Sequence, residues 1–319
     1  MAHYTTVTVF GGTGFIGRYL IDKLADQGVT VRVATRSKAS AYFLRTAGAV
    51  GQVVPVICNI HDDNSVQNVV AGSDWVINLI GSLTEKGKNG SFEKLHHEFP
   101  ARLAAIAARN NVKRLVHVSS LGAAANAASN YAQTKAKGES ALSNNFPEAT
   151  ILRPSVVYGA EDRFFNRFAQ LATISPVLPL IGGGKTLFQP VFVGDVVKAI
   201  MAALKQPEEQ VQGKIFELGG DDVLSFKQLM QKMAEFTGNE SKLVSLPFAL
   251  ASLQGSILQH LPGALLTVDQ VKQLKSDNVV SGEKPGLHDL GITPETLDAI
   301  LPAYLHRFRG GRFAFKRTA

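Results

Sequence analysis

Short apolar runs alternate with amphipathic stretches through the first half of the chain. Runs rich in Val and Ile are typical of strands covered on both faces, and they lie at residues 5–10, 30–35, 53–57, 75–80, 114–119 and 149–152. Between the first two runs, Ile16, Leu20 and Leu24 recur at helical spacing and predict a helix over residues 15–27. Gly28 is expected to end that helix, because glycine adopts the left-handed conformation at little cost. The alternation predicts an α/β fold, a Rossmann-type doubly wound parallel sheet.

The pattern changes after Pro154. A strand that leads into a helix is expected over residues 191–200 and a last strand over residues 214–218, and beyond Gly220 the spacing is helical and interrupted by prolines. We therefore predict a Rossmann domain from residues 1–159 and 191–220. A smaller, mainly helical C-terminal lobe is expected from residues 160–190 and 221–319.

A glycine-rich turn follows the first predicted strand and opens the first predicted helix. It consists of Gly11, Gly12, Thr13, Gly14, Phe15, Ile16 and Gly17. In such a turn the first glycine permits the bend, the second lets the backbone approach a pyrophosphate, and the third lets the helix pack on the strand. The N-terminus of the helix supplies free N–H groups for phosphate oxygens. The turn predicts a nicotinamide dinucleotide site.

The end of the second strand bears on the choice between NAD and NADP. An NAD site places an acidic residue there for the ribose 2′-hydroxyl, whereas this chain has Thr35 followed by Arg36, Ser37 and Lys38. Two cations can pair with a 2′-phosphate through charge-assisted hydrogen bonds. We therefore expect a preference for NADP(H), with NAD(H) as the alternative, and ordinary exposed loop cations as the competing interpretation.

Tyr131 and Lys135 are four residues apart at the start of a predicted helix, which puts both side chains on one face. A nearby ammonium favours the phenolate, so Lys135 is expected to lower the pKa of Tyr131. Such a tyrosine can exchange a proton with a substrate oxygen while hydride moves to or from a nicotinamide. The pair follows a strand that ends in Ser119 and Ser120, which is where such a helix belongs in this fold.

These motifs, together with residues 78–81 and 153–159, resemble the extended and atypical short-chain dehydrogenase/reductase superfamily. The resemblance covers at least residues 5–220. It implies a catalytic set of Tyr131, Lys135 and Ser120. It also implies that the glycine turn, the loop cations, Tyr131 and Lys135 contact the cofactor. The further cofactor contacts that it implies are Asn59, Ile60, Leu79, Ile80, Gly81, Val118, Ser119, Pro154 and Val156.

A narrower resemblance is carried by residues 76–81, 158–166, 291–294 and 301–305. These segments are similar to the alpha subcomplex subunit 9 family of NADH:ubiquinone oxidoreductase (complex I) and its bacterial relatives. The resemblance implies an accessory or assembly subunit with a tightly held NADPH of mainly structural role. Leu121 departs from the active pattern, in which a Ser or Thr directly after the paired serines holds the substrate oxygen. An active NADP-dependent reductase or epimerase on a lipophilic, quinone-like substrate remains the alternative.

Composition adds expectations about partners and location. The chain has 319 residues, a formal net charge of +7 and one cysteine. A basic balance suits an anionic membrane surface or an acidic protein surface, and complex I subunits are the partners that the resemblance implies. Docking is expected through residues 243–266 and the basic tail, for which a core helix pair and a solvated tail are the competing interpretations. The tail cations are Arg307, Arg309, Arg312, Lys316 and Arg317.

Three further expectations concern what the chain lacks. Because no targeting segment is visible at the N-terminus, the sequence predicts a cytoplasmic protein, with a peripheral position on the inner face of the cytoplasmic membrane as a variant. No nucleic acid partner is expected, since the cations are not interleaved with aromatic residues. No metal is expected either, because His96, His97 and Glu98 lack a metal-ligand spacing and are interpreted as capping or surface residues.

Overall fold

The computed structural model describes residues 5–239, 241–259 and 266–310. The strands are β1 Thr6–Phe10, β2 Thr30–Thr35, β3 Val53–Ile57, β4 Trp75–Asn78, β5 Arg114–Val118, β6 Thr150–Pro154, β7 Val157–Tyr158, β8 Val177–Ile181, β9 Leu187–Phe188, β10 Val191–Phe192, β11 Ile215–Leu218, β12 Leu224–Ser225 and β13 Lys242–Leu246. The α-helices are α1 Phe15–Asp26, α2 Asp63–Val70, α3 Phe99–Arg109, α4 Asn130–Asn145, α5 Phe165–Ile174, α6 Val193–Lys205, α7 Glu208–Val211, α8 Phe226–Thr237, α9 Phe248–Leu258, α10 Val268–Gln273 and α11 Leu297–Leu305. A π-helical turn, Glu93–Glu98, runs directly into α3.

Among the described residues, the main sheet has seven strands in the order β11-β6-β5-β4-β1-β2-β3. The pairs from β3 to β6 are parallel. The order reverses at β1, so the carboxyl ends of β1 and β4 meet where a doubly wound sheet binds its ligand. The predicted Rossmann-type α/β fold is confirmed.

The described chain divides into two compact units, of which the first contains residues up to Pro154 together with Val196–Glu217 and Glu283–Ile292. Its core joins sheet residues such as Phe10 and Leu115 to side chains of α2, α3 and α4. Gly28 ends α1 at a φ of +72°, as predicted. The fourth strand stops at Asn78, two residues earlier than predicted, because Asn78 Oδ1 accepts a hydrogen bond from the Ile80 N–H at 3.0 Å and closes a turn.

The second unit contains Ser155–Asp195 and Leu218–Gly282, together with residues from Thr293 onward. Its core includes an aromatic cluster of Phe164, Phe168, Phe188 and Phe226, whose ring centroids lie 5.3 to 6.3 Å apart. The unit is mainly helical, but β13 pairs in parallel with β8. The assignment of Rossmann and docking roles to the two parts of the chain stays a prediction. Within the described ranges we find no helix that is both long enough and apolar enough to cross a membrane.

Candidate functional site

The turn between β1 and α1 leaves room for backbone alone. Gly11 has a φ of +82°, and a Cβ there would lie 3.0 Å from the carbonyl carbon of Leu79. A Cβ on Gly17 would lie 2.5 Å from the carbonyl oxygens of both Gly11 and Gly12. Gly14 caps α1 without a side-chain hydrogen bond. The backbone of the turn therefore packs closely on the first turn of α1, where a helix N-terminus can offer N–H groups to an anion.

The two loop cations are exposed at the end of β2. Thr35 Oγ1 donates to the Ser37 carbonyl at 2.9 Å and accepts from the Ser37 N–H at 3.3 Å, which folds the segment into a tight turn. Arg36 and Lys38 project from this turn and are exposed. Within the described residues we find no carboxylate that pairs with either one.

Asn59 and Ile60 follow the end of β3. Asn59 Oδ1 accepts from the His61 N–H at 3.1 Å, and the Asn59 N–H donates to Ser65 Oγ at 2.9 Å. The guanidinium of Arg102 donates to the Ile60 carbonyl at 2.7 Å. The loop is held by these bonds, while the Asn59 side chain is exposed.

The ends of β4 and β5 carry the remaining cofactor-contact candidates of the first unit. The Leu79 N–H donates to the Phe10 carbonyl at 2.9 Å, so the Leu79–Ile80–Gly81 segment runs beside the glycine turn. After Val118, the Ser119 N–H donates to the Leu152 carbonyl at 2.7 Å. The hydroxyls of Ser119 and Ser120 are buried and make no hydrogen bond of good geometry with the described residues. Buried unpaired hydroxyls are costly, and a bound ligand is one source of partners for them.

Tyr131 and Lys135 both lie in the first two turns of α4, where Ser129 is the N-cap and its hydroxyl accepts from the Ala132 N–H at 3.2 Å. Lys135 is 2 % exposed, and its Nζ donates to the Val118 carbonyl at 3.0 Å. Burial lowers the pKa of Lys135 to about 8, and the Glu139 carboxylate acts in the opposite direction. The lysine therefore links the helix to the end of β5.

Burial raises the pKa of the Tyr131 phenol, and the adjacent Ser120 hydroxyl offsets part of that rise. The expected lowering of this pKa by Lys135 is wrong, because loss of solvent dominates and the ammonium is directed to the Val118 carbonyl. The phenol keeps its proton at neutral pH, which is the form that a proton donor needs. The Ser120 hydroxyl lies beside the phenol.

Leu121 occupies the position at which the active pattern has a hydroxyl. It is 6 % exposed, and its N–H donates to the Pro154 carbonyl at 2.9 Å. The structure thus brings together the glycine turn, the ends of β4 and β5, and the first two turns of α4 in the first unit. Val156 belongs to the second unit, where its N–H donates to Asn278 Oδ1 at 3.2 Å.

Two buried histidines were missed as site residues. The interpretation of His96 as a capping or surface residue is wrong, since it is fully buried. The signal available in the sequence was its helical spacing with Phe92, Phe99 and Leu103, which puts it on an apolar face. His117 on β5 is also fully buried, with its Nδ1 3.0 Å from the side-chain nitrogen of Asn78. Burial lowers the pKa of both imidazoles, that of His96 to about 3.

Two of the narrower sequence motifs meet in the second unit. Tyr304, on α11, donates to the buried carboxylate of Asp162 at 2.5 Å, and the same carboxylate accepts from the N–H groups of Gly159 and Asn166 at 3.2 Å. Arg307 donates to the Asn166 side chain at 2.6 Å. These motifs therefore hold the last described helix in the unit. Arg312, Lys316 and Arg317 of the predicted basic tail lie outside the described residues.

Comparisons with known proteins agree with this geometry. A family model described as the NAD dependent epimerase/dehydratase family matches residues 7–219. The chain is 38% identical to the mitochondrial NADH dehydrogenase [ubiquinone] 1 alpha subcomplex subunit 9 of Arabidopsis thaliana, over 98% of this chain and 80% of the relative. It is 31% identical to a ceramide reductase of Caulobacter vibrioides, over 76% of this chain and 73% of the relative.

Solved structures resemble the chain in fold. The NADPH complex of the quinone oxidoreductase QOR2 from Escherichia coli superposes with a TM-score of 0.72 at 18% identity, covering 94% of this chain and 99% of the other. At this identity the likeness concerns the fold alone.

The comparisons also correct one prediction. The relatives described as alpha subcomplex subunit 9 are mitochondrial proteins by name. The prediction of a cytoplasmic protein, with a peripheral position on the cytoplasmic membrane as its variant, is wrong by this comparison. A missing presequence pattern was its only support.

Proposed function

The chain belongs to the NAD dependent epimerase/dehydratase family and, within it, to the alpha subcomplex subunit 9 proteins, and we propose that it is an NADP(H)-binding accessory or assembly subunit of respiratory complex I. Its cofactor is mainly structural. The observation that carries the cofactor is the turn in which neither Gly11 nor Gly17 has room for a Cβ. The partner is taken from the relatives, which this chain matches along nearly its whole length.

In this proposal the residues around the turn divide the dinucleotide among them. The N–H groups of residues 12–17 hold the pyrophosphate. Arg36, Ser37 and Lys38 hold the 2′-phosphate of NADPH, and NADH binds more weakly because it gives them nothing to pair with. Asn59 and Ile60 lie against the adenine, and Lys135 holds the nicotinamide ribose.

A structural role follows from thermodynamic linkage. A ligand that binds only the folded state stabilises it by about 2.7 kcal/mol at a hundredfold excess over its Kd. Ser119 and Ser120 gain partners when the dinucleotide is bound, and Leu121 offers no hydroxyl to a substrate. The site is therefore better suited to holding a dinucleotide than to rapid turnover.

Docking on complex I is assigned to α9. The helix buries Ala251 and Gly255, whereas Leu250, Leu253 and Ile257 are 52, 61 and 64 % exposed. These three residues recur at helical spacing and form an apolar stripe, which we call the α9 stripe. Apolar stripes of this kind mark interaction sites when they are contiguous. A second protein subunit is the proposed occupant.

Two measurements test the proposal. Nucleotide extracted from the purified protein with cold methanol and identified by mass should be NADPH, and absence of any adenine dinucleotide, even after incubation with excess NADPH, would contradict it. Tagged protein should copurify with complex I subunits from native membranes. Leu253→Ser should reduce that recovery, and Ile57→Ser, which removes an equally exposed apolar residue from the edge of the main sheet, should not.

An NADP-dependent reductase or epimerase that acts on a lipophilic substrate is the second candidate. The protonated Tyr131 beside Ser120 favours it, as do the five alanines between Leu121 and Asn130, which suit an apolar substrate. The relative from Caulobacter vibrioides is by name a reductase of a lipid. NADPH, held by the glycine-rich turn and Lys135, would supply the hydride for the reduction of a carbonyl group. Ser120 positions the carbonyl oxygen and Tyr131 gives it a proton.

The two candidates are separated by turnover. Purified protein is supplied with NADPH and a panel of quinones and long-chain ketones, and the absorbance of NADPH is followed. Turnover that Tyr131→Phe abolishes without loss of NADPH affinity would establish the enzyme. NADPH that stays bound and unoxidised throughout the panel supports the accessory role.

A further inference from the structure

His96 lies between the loop after β4 and the helix that carries Tyr131. The Ser82 N–H donates to His96 Nε2 at 3.1 Å. Because this nitrogen accepts, the proton of the neutral imidazole is on Nδ1. His96 Nδ1 lies 3.2 Å from Thr134 Oγ1 on α4, so the ring donates to Thr134. One side chain thus bonds two separate segments of the site.

The imidazole also contacts the phenol directly. The rings of His96 and Tyr131 meet edge to face, with centroids 5.2 Å apart and planes at 84°. On its other side His96 stacks on Phe92 at 5.1 Å, and Phe92 meets Tyr131 edge to face at 5.8 Å. Edge-to-face pairs fix ring orientation as well as distance. Tyr131 is therefore seated against two rings that are themselves stacked.

The backbone around His96 is shaped for this contact. His96 is part of the π-helical turn before α3, and such wide turns occur frequently at functional sites. A Cβ on Gly138 would lie 1.7 Å from the His96 carbonyl oxygen, so α4 reaches the turn only because residue 138 is glycine. A Cβ on Gly81 would lie 3.8 Å from Lys135 Nζ and 4.0 Å from His96 Nε2. The lysine and the histidine therefore converge under the Gly81–Ser82 loop.

We propose that His96 is a positioning residue of this site: a neutral imidazole, protonated on Nδ1, that fixes the Gly81–Ser82 loop and the Tyr131 ring relative to Lys135. The proposal rests on the dinucleotide site proposed above, and it assigns His96 no contact with substrate. Burial and the charge of Lys135 keep the ring neutral at physiological pH.

The first experiment determines the ring's protonation without ligand. In histidine-labelled protein, long-range ¹H–¹⁵N spectra report which ring nitrogen carries the proton, and the His96 signals are assigned by their loss in His96→Leu. We expect a neutral ring protonated on Nδ1 that shifts when Thr134→Val removes its acceptor. A proton on Nε2, or a signal indifferent to Thr134→Val, overturns the proposal whether or not any dinucleotide binds.

The second experiment measures NADPH affinity by fluorescence. His96→Leu should weaken binding about fivefold, because one net hydrogen bond is worth about 1 kcal/mol. His96→Gln, whose amide oxygen reaches the position of Nε2 and can accept from Ser82, should restore most of the loss. His97→Leu is the control on the same turn, where the half-buried side chain pairs with Glu93. Wild-type affinity in a folded His96→Leu variant refutes the positioning role, whereas a wild-type protein that binds no NADPH refutes the proposed function instead.

Discussion

Gly17→Ala tests the geometry on which the cofactor site depends. The new Cβ would lie 2.5 Å from the carbonyl oxygens of Gly11 and Gly12, about 0.9 Å inside the distance of roughly 3.4 Å at which such contacts become ordinary. Both neighbours are backbone atoms and cannot rotate away. The turn and the start of α1 must therefore separate by most of an ångström.

The expected magnitude has two parts. Overpacking of a buried position lowers the free energy of unfolding by about 1–3 kcal/mol. The better helix propensity of alanine offsets up to about 1 kcal/mol of this loss. The displaced amides lose at least one hydrogen bond to a charged phosphate, worth about 1.5–3 kcal/mol, which is roughly a 10- to 150-fold loss of NADPH affinity. Affinity should thus fall more sharply than stability.

The assay is a fluorescence titration with NADPH beside thermal unfolding of the same samples. Gly28→Ala is the matched control at the other end of α1, where φ is +72° and no atom lies within 4 Å of the new Cβ. It should lower stability through backbone strain and leave affinity unchanged. A Gly17→Ala protein that binds NADPH as tightly as the wild type would show that the turn does not wrap the pyrophosphate.

Three further predictions concern charged and polar groups. Arg36→Ala should weaken NADPH binding about 10- to 150-fold and leave NADH binding unchanged, and an equal loss for both nucleotides in titrations would contradict the 2′-phosphate assignment. Burial lowers the pKa of Lys135 from 10.5 to about 8 in the folded protein. Between these two pH values the unfolded chain binds more protons than the folded one, so the free energy of unfolding of the wild type should rise by up to roughly 3 kcal/mol as the pH rises through them. Urea unfolding at pH 7.5 and 9.5 should show about 2 kcal/mol of this gain in the wild type and none in Lys135→Met, and equal pH slopes would count against it. Tyr304→Phe takes one donor from the buried Asp162 carboxylate and should cost about 1–3 kcal/mol in urea unfolding, while Tyr42→Phe, an exposed control, should cost little.

Local sequence patterns were sufficient to predict the main sheet and the glycine-rich turn after β1. Strand periodicity and the position of Gly28 depend on neighbouring residues, so they predicted the elements of the first unit nearly to their ends. β13 was missed because its pairing with β8 joins residues more than sixty positions apart. Helical spacing was expected beyond Gly220, and for residues 243–266 a core helix pair was the competing interpretation to docking.

The candidate site shows the same limit. Spacing placed Tyr131 and Lys135 on one face of a helix, but it could not show that Lys135 is directed to the Val118 carbonyl or that burial raises the pKa of the phenol. His96 looked polar beside His97 and Glu98. Its helical spacing with Phe92 and Phe99 was the local signal for burial, whereas the close approach of α4 at Gly138 is a tertiary contact that local spacing does not show.

The buried polar groups of the site bear on whether the cofactor is structural or catalytic. A buried ammonium, two neutral imidazoles and the Ser119 hydroxyl, which has no hydrogen-bond partner among the described residues, all cost folding free energy. A dinucleotide bound there offers hydroxyl and amide partners to some of these groups. Binding therefore recovers folding free energy that these groups cost in the protein without ligand. That coupling stabilises the fold without any turnover. Retention of a protonated Tyr131 beside Ser120 is the one feature it does not require, so turnover separates the two functions: an enzyme should oxidise NADPH and lose that activity in Tyr131→Phe, whereas a protein that only holds its cofactor shows no oxidation in the wild type either.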